Sequence, residues 1–266
     1  MKYNLVAAIT TKNEEWIIGE TLSVLTKFCD KVVILDDNSD DNTKDVCLSF
    51  DKVEWNVRQK RENLWERKEA EGLYECFSLA ADHNPEYILM IDADEIPTPS
   101  FIDFFNSIDT DINAWSVRMI NLFKDGLHYR TDNFKTRMGA NIFHNPFHQQ
   151  GWRKTVLTKY NNDYKYTYNF SVQKGGTSKN HPCPQNIPDP ISNTEDFYMM
   201  HYGRINPMYL SGSKDEFYAL IESHDSKGSF KDRLMHHQLC RTGHGPNGPE
   251  YKQCPEEWFW SLGINS

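Results

Sequence analysis

Residues 87–95 read Tyr-Ile-Leu-Met-Ile-Asp-Ala-Asp-Glu, a largely apolar run followed at once by three carboxylates within four positions. A short apolar run that ends in polar residues predicts a buried strand. Asp92 and Asp94 stand one residue apart at its carboxyl end, where their oxygens suit a hard divalent cation. The alternative for an isolated Asp-x-Asp is a solvated acidic turn, but the buried strand before it favours a binding role.

Outward from this strand, the first hundred residues alternate between strand and helix patterns. Further strands are predicted at residues 3–10, 31–35 and 52–57, and helices at residues 15–28, 43–50, 63–83 and 100–107. This alternation predicts an α/β fold with a mainly parallel sheet flanked by helices. Ligands of such sheets bind beyond the carboxyl ends of the strands. Three polar clusters follow predicted strands and are expected at that edge: residues 10–14, 36–39 and 92–95.

The pattern changes after residue 110. Strands are predicted at residues 114–123, 131–143, 155–160, 164–172 and 197–202, and helices at residues 207–224 and 230–240. We therefore expect one domain with two halves. Residues 1–110 form the parallel half, and residues 111–266 form a mixed α+β half with a helical C-terminus.

Charge and hydropathy exclude two classes of protein. Asp and Glu total 38 against 29 for Lys and Arg, a net charge of −9. A protein that binds nucleic acid through its phosphates is expected to be basic. No segment approaches the roughly 18 consecutive apolar residues of a membrane span, and the apolar run at residues 5–9 is too short for a signal peptide. The sequence predicts a cytoplasmic protein with no transmembrane segment.

A second motif, Asp36-Asp37-Asn38-Ser39, follows the second predicted strand. A carboxylate at this place can accept the imide hydrogen of a pyrimidine or purine base. A plain helix-capping turn is the alternative, and it accounts well for Ser39. It accounts less well for two adjacent aspartates directly at the end of an apolar strand.

These motifs, with Thr10-Thr11-Lys12-Asn13-Glu14 after the first strand, resemble the family-two glycosyltransferases of the GT-A fold. Such proteins have a polar turn with Asn-Glu, then Asp-Asp-Gly-Ser, then Asp-x-Asp, in this order and on these strands. The resemblance covers roughly residues 3–107. Here Asn38 replaces the glycine, and asparagine tolerates a left-handed backbone, so we expect the turn to be kept.

The resemblance implies roles for residues of the first half. Thr10, Glu14 and Asp37 would face the nucleoside of a donor. Asp92 would face the ribose or a metal ion, and Asp94 would bind the metal itself.

It also implies a phosphate-binding arginine and a catalytic base. Arg67 is the nearest counterpart of an arginine that lies near the donor phosphates, although a surface charge paired with Glu71 is an equal alternative. An inverting transfer needs a carboxylate to take the proton of the acceptor hydroxyl. Glu195 or Asp196 stands where similar enzymes place that base, and loop acids at the start of a strand are the alternative.

In resembling enzymes a histidine of the second half often joins the Asp-x-Asp carboxylates, so the resemblance implies that His201 completes the metal site. His201 follows a predicted strand and precedes Gly203, and Arg204 is placed to face the same phosphates. Mixed oxygen and imidazole ligands favour Mn²⁺ over Mg²⁺. The alternative for His201 is a hydrogen bond within the second half.

Motifs that the chain lacks argue against several classes of enzyme. The chain has no Gly-x-Gly-x-x-Gly after the first strand, which argues against a dinucleotide dehydrogenase. It also lacks the Gln-x-x-Arg-Trp of processive polysaccharide synthases. The resemblance therefore implies transfer of a single sugar from a nucleotide-diphosphate sugar to a glycan or other hydroxyl acceptor. Two alternatives stay open: a sugar-phosphate nucleotidyltransferase, disfavoured by the absence of a glycine-rich loop near residue 12, and a non-catalytic nucleotide- or glycan-binding module.

Overall fold

The computed structural model describes residues 3–60, 69–135, 141–149, 151–162, 191–213, 215, 219 and 249–261. Its strands are β1 Leu5–Thr11, β2 Lys31–Asp36, β3 Val53–Val57, β4 Tyr87–Asp92, β5 Glu95–Pro97, β6 Ala114–Phe123, β7 His128–Arg130, β8 Asn133–Lys135, β9 Asn141–Phe143, β10 Arg153–Lys159, β11 Ile191–Asn193, β12 Met199–His201 and β13 Tyr251–Gln253. Its α-helices are α1 Ile18–Leu25, α2 Thr43–Leu48, α3 Glu69–Ala81, α4 Phe101–Asn106 and α5 Pro207–Ser211.

Four parallel strands form the centre of the first half, in the order β3-β2-β1-β4. Nearly all residues of β1, β2 and β4 are buried, as expected for strands covered on both faces. Alternate residues supply two separate cores. On one face, Val6, Val33 and Ile88 pack with Phe77 of α3. On the other face, a larger core contains Leu89 and residues of α1 and α4.

The second half extends the same sheet with antiparallel strands. β10 pairs with β4 on one side and with β6 on the other, and β7 and β13 continue beyond β6. β12 lies parallel to β6 and antiparallel to β5. This pairing brings β12, more than a hundred residues later in the chain, next to the turn that follows β4.

The structure confirms the predicted α/β fold class with its mainly parallel sheet flanked by helices. The prediction of one continuous strand at residues 131–143 is wrong, because β8 and β9 pair antiparallel and the chain therefore reverses between them. The predicted strand at residues 164–172 and most of the two predicted C-terminal helices lie outside the described residues. Within the described part of the chain, no helix has the length and hydropathy needed to span a membrane.

Candidate active site

The carboxyl ends of β1, β2 and β4 lie side by side. Thr10 pairs with Leu35 of β2 on one side and with Asp92 of β4 on the other, and its own side chain is half-buried. Because the three strands are parallel, the polar residues that follow them all lie at one edge of the sheet. The three predicted clusters are thus brought together.

The turn after β1 contacts both halves of the chain. Asn13 has a left-handed backbone with φ 54°, and its N–H donates to Ser39 Oγ at 2.8 Å. The Glu14 carboxylate accepts from the Trp16 indole at 2.6 Å and lies 3.5 Å from the Asn206 side-chain amide, which donates to it. Glu14 therefore links the first half to the buried residue that caps α5.

The two aspartates after β2 have different surroundings. Asp36 is buried, and its carboxylate accepts hydrogen bonds from the Ser39 N–H at 2.9 Å and from the Ser39 hydroxyl. Asn38 has φ 60°, which is the left-handed conformation expected from its replacement of glycine. The Lys12 ammonium donates to the carbonyl oxygen of Asp37 at 2.8 Å. Asp36 thus holds the turn, and the side chain of Asp37 is the one at the edge of the sheet.

Arg58, which belongs to no sequence motif, faces Asp37. Its Nη1 lies 3.8 Å from Asp37 Oδ1, and its Nε lies 3.6 Å from Glu75 Oε2. Gly72 of α3 makes room for the guanidinium group, since a Cβ there would lie 2.8 Å from Arg58 Nη1. Arg67, the predicted phosphate-binding residue, lies outside the described residues.

The side chain of His201, at the end of β12, faces Asp94 in the turn after β4. His201 Nε2 lies 3.5 Å from Asp94 Oδ2, and the side chains are 16% and 13% exposed respectively. The Tyr202 N–H donates to the Asp94 carbonyl oxygen at 2.9 Å. The pairing of β12 with β5 sets this arrangement, because it places His201 opposite Glu95.

Gly203 lies directly against this pair. A Cβ at position 203 would lie 2.7 Å from Asp94 Oδ2 and 2.7 Å from His201 Nε2. Any larger residue would therefore displace one of the two side chains. The absence of a side chain here keeps the space in front of the carboxylate and the imidazole open.

The other nitrogen of His201 is fixed by a hydrogen bond. Nδ1 lies 2.6 Å from Asn121 Oδ1, and an amide oxygen only accepts, so Nδ1 carries the hydrogen. Trp152 packs edge-on against the ring at a centroid distance of 5.4 Å. Burial lowers the pKa of His201, although the Asp94 carboxylate opposes that shift. With Nδ1 bonded to Asn121, Nε2 faces the Asp94 carboxylate, an arrangement that a cation between them would stabilise.

The pair fits two ligands of one divalent metal ion. Each ligand atom would lie roughly 2.0–2.2 Å from the ion, which is compatible with a separation of 3.5 Å between them. The Nδ1–H bond to Asn121 is the kind of contact that orients metal-binding histidines. Among the described residues, however, no three His, Cys, Asp or Glu side chains form a ready-made metal cluster. Further ligands would have to come from water or from the donor.

Asp92 contacts a lysine that no sequence motif indicates. Lys154 of β10 is fully buried, and its ammonium lies 3.1 Å from Asp92 Oδ2 and in contact with Glu95 Oε2. Glu95 is fully buried too, and its Oε2 accepts from the Asp92 N–H at 2.9 Å. Burial and the carboxylates of Asp92 and Asp94 raise the pKa of Glu95, and Lys154 opposes the rise.

The structure does not bring Glu195 to the same place. Arg118 Nε donates to both of its carboxylate oxygens, at 2.9 and 2.8 Å, and Arg153 contacts it as well. Consecutive strand residues point to opposite faces of a sheet. Arg153 thus points away from Lys154, its neighbour on β10, and Arg118 points away from Asn121 on β6. The Glu195 carboxylate lies across the sheet from His201 and is held by two guanidinium groups.

Asp196 and Arg204 each contact a neutral side chain. The Thr194 hydroxyl donates to Asp196 Oδ2 at 2.7 Å, and within the described part of the chain no Lys or Arg lies within salt-bridge distance of Asp196. Arg204, three residues after His201, donates to the Tyr209 hydroxyl at 3.0 Å and stacks over the same ring at 5.1 Å.

Two solved structures match parts of the chain at low sequence identity. S. aureus TarS is 17% identical, with a TM-score of 0.42 over 90% of this chain and 43% of that protein. Glucosyl-3-phosphoglycerate synthase from Mycobacterium tuberculosis, solved with Mn²⁺, UDP and phosphoglyceric acid, is 21% identical, with a TM-score of 0.34 over 45% of this chain and 44% of that protein. The chain thus matches less than half the length of either protein. No curated protein matches the sequence.

A family model also matches the sequence. The sequence model of glycosyl transferase family 2 matches residues 7–170, which include the ends of β1, β2 and β4 and the buried Lys154. The mainly parallel sheet and the three motifs at its edge are the features that the resemblance to this family predicted. Because the match covers more than half of the 266 residues, the chain belongs to glycosyl transferase family 2.

Proposed function

We propose that the protein is a metal-dependent glycosyltransferase that moves a single sugar from a nucleotide-diphosphate sugar to a hydroxyl acceptor. The main support is the pair formed by Asp94 and His201, 3.5 Å apart at the strand ends, in front of Gly203. The turn with Asp37 lies at the same edge of the sheet. A donor across this edge would place its diphosphate at the pair and its base at Asp37.

Asp94 and His201 are the proposed metal ligands, and Asp92 stands beside them. A bound divalent ion would neutralise the negative charge that develops on the leaving diphosphate. The imidazole favours Mn²⁺ over Mg²⁺, because Mg²⁺ prefers oxygen ligands. Arg204 is proposed to face the same phosphates, for which it would exchange its contact with Tyr209.

Asp37 and Arg58 are proposed to face the nucleobase, with Thr10 and Glu14 lining the same edge. The Asp37 side chain is 22% exposed, so one carboxylate oxygen can accept an imide hydrogen from uracil or guanine. Arg58 holds that carboxylate in place from the side.

The acceptor is proposed to bind against residues 111–266, while residues 1–110 bind the donor. Of the two carboxylates predicted as the catalytic base, we propose Asp196. Glu195 is paired with Arg118 and Arg153, and a carboxylate held by two guanidinium groups is a poor proton acceptor. Asp196 accepts only a hydroxyl hydrogen bond in the described part of the structure.

A thermal-shift screen of nucleoside diphosphates and nucleotide sugars, with and without Mn²⁺, tests the binding part of this proposal. A ligand at 100 times its dissociation constant adds about 2.7 kcal/mol of stability, which corresponds to roughly 5–10 °C for a chain of this size. We expect a shift of this order with UDP or GDP that depends on Mn²⁺. If no nucleotide shifts the melting temperature in the presence of Mn²⁺, the proposed function is wrong.

A further inference from the structure

A fully buried lysine lies behind the proposed metal pair. Lys154 enters from β10, and its ammonium contacts both Glu95 and Asp92. Trp152, which lies directly before β10, packs against His201. The chain at the start of β10 therefore contacts both the histidine and the acidic turn.

The two carboxylates at Lys154 differ in exposure. Glu95 and Lys154 are both 0% exposed, and their charged ends contact each other inside the protein. Asp92 is 40% exposed and is a second partner of the same ammonium. The contact with Lys154 already gives the buried Glu95 a partner, without any contribution from Asp92. The contact with Asp92 is therefore an additional constraint on the first aspartate of the Asp-x-Asp motif.

We propose that Lys154 is a positioning residue that keeps Asp92 out of the metal's coordination sphere. This inference rests on the proposed function. The free protein then offers the metal two side chains, Asp94 and His201, and the donor diphosphate supplies further ligands. Metal and nucleotide consequently bind cooperatively, each weakly alone and more tightly together.

The arrangement of charge supports this reading. Asp92, Asp94 and Glu95 place up to three negative charges within four residues, which would bind a divalent ion tightly without any donor. The Lys154 ammonium offsets one of these charges and occupies Asp92 Oδ2 at 3.1 Å. The described residues accordingly contain no cluster of three ligand side chains.

The test compares the double variant Glu95→Gln/Lys154→Met with Glu95→Gln alone. The double variant removes both members of the buried pair, so no unpaired charge is left inside, and it frees Asp92 from the ammonium. Calorimetry would measure Mn²⁺ affinity with and without UDP or GDP, whichever the wild type binds. Lys154→Arg, which keeps the charge, is the conservative control and is expected to retain most of the cooperativity.

We expect Mn²⁺ alone to bind the double variant about tenfold more tightly than Glu95→Gln, equivalent to about 1.4 kcal/mol. The factor by which nucleotide tightens Mn²⁺ binding should fall by a similar amount. Equal Mn²⁺ affinities in the two variants would overturn the inference while leaving the proposed function intact. A wild type that binds neither Mn²⁺ nor nucleotide would overturn both.

If the double variant does not fold, Asp92→Asn answers the same question. Asp92 lies at the surface end of β4, so this change is expected to leave the fold intact. Because Lys154 already holds Asp92 away from the metal, the Mn²⁺ affinity of the free protein should change by less than about threefold. The matched variant Asp94→Asn should lose at least tenfold. Similar losses in the two variants would overturn the inference.

Discussion

Gly203→Ala is the smallest change that acts on the proposed metal pair. The new Cβ would lie 2.7 Å from both Asp94 Oδ2 and His201 Nε2. Ordinary van der Waals contact begins at 3.4 Å, so one or both atoms must retreat, by about 0.7 Å if the backbone does not move. Ligand distances in metal sites are reproduced to within about 0.2 Å, and a shift of this size therefore separates the two ligands.

The fold is expected to survive this change. Among the described glycines, only Gly126 and Gly212 have positive φ, so an alanine can adopt the backbone conformation of residue 203. Reduced freedom of the unfolded chain contributes about 0.4–1 kcal/mol in favour of alanine at such a site. That contribution offsets part of the clash. We therefore expect a small change in stability and a large change in metal binding.

The assay is calorimetric titration of Mn²⁺ in the presence of a bound nucleoside diphosphate. We expect Gly203→Ala to weaken Mn²⁺ by 10- to 100-fold, the usual range for residues that support metal ligands. Gly19→Ala in α1 is the matched control, because the nearest atom to its Cβ, Val46 Cγ1 of α2, would be 3.5 Å away. Mn²⁺ affinity within twofold of wild type in the folded Gly203→Ala variant would refute the assignment of the pair.

Three further variants test metal binding, nucleobase binding and proton transfer from the acceptor separately. His201→Ala should raise the Mn²⁺ concentration for half-maximal activity about tenfold, or about 1.4 kcal/mol; an unchanged titration curve would leave His201 structural. Asp37→Ala should weaken nucleotide binding about tenfold with little effect on kcat, and unchanged calorimetric affinity would remove Asp37 from the base site. Asp196→Asn should lower kcat by about 100-fold or more without weakening the binding of Mn²⁺ or nucleotide. Equal losses of kcat in Asp196→Asn and Glu195→Gln would contradict the choice of Asp196 as the catalytic base.

Local sequence patterns are sufficient to predict the first half of the fold. β1, β2 and β4 are runs of apolar residues that end in polar clusters, and parallel pairing brings such ends to one edge. The left-handed Asn38 was also predictable, because it occupies a turn position that requires glycine or asparagine. These features depend on a few neighbouring residues, so sequence spacing alone identifies them.

The contacts that shape the site depend on strand pairing at long range. Lys154 was missed because the predicted strand began at residue 155, and because no local pattern indicates that β10 pairs with β4. Arg58 follows β3 without any motif, and its place near Asp37 depends on the packing of α3 at Gly72. The arginines that hold Glu195 come from β6 and β10, 77 and 42 residues away in sequence. Pairings of this kind become visible only in three dimensions.

Donor hydrolysis by the wild type and by Asp94→Asn shows whether cleavage of the donor depends on a metal held by this aspartate. A panel of nucleotide sugars would be incubated with Mn²⁺, and the released nucleoside diphosphate measured. We predict that the wild type releases nucleoside diphosphate slowly from one donor class and only with Mn²⁺. The rate of release should fall at least tenfold in a folded Asp94→Asn variant, which corresponds to a loss of at least about 1.4 kcal/mol in transition-state stabilisation. Release that does not need Mn²⁺, or that persists at more than a tenth of the wild-type rate in Asp94→Asn, would contradict a metal-dependent transferase built on this aspartate.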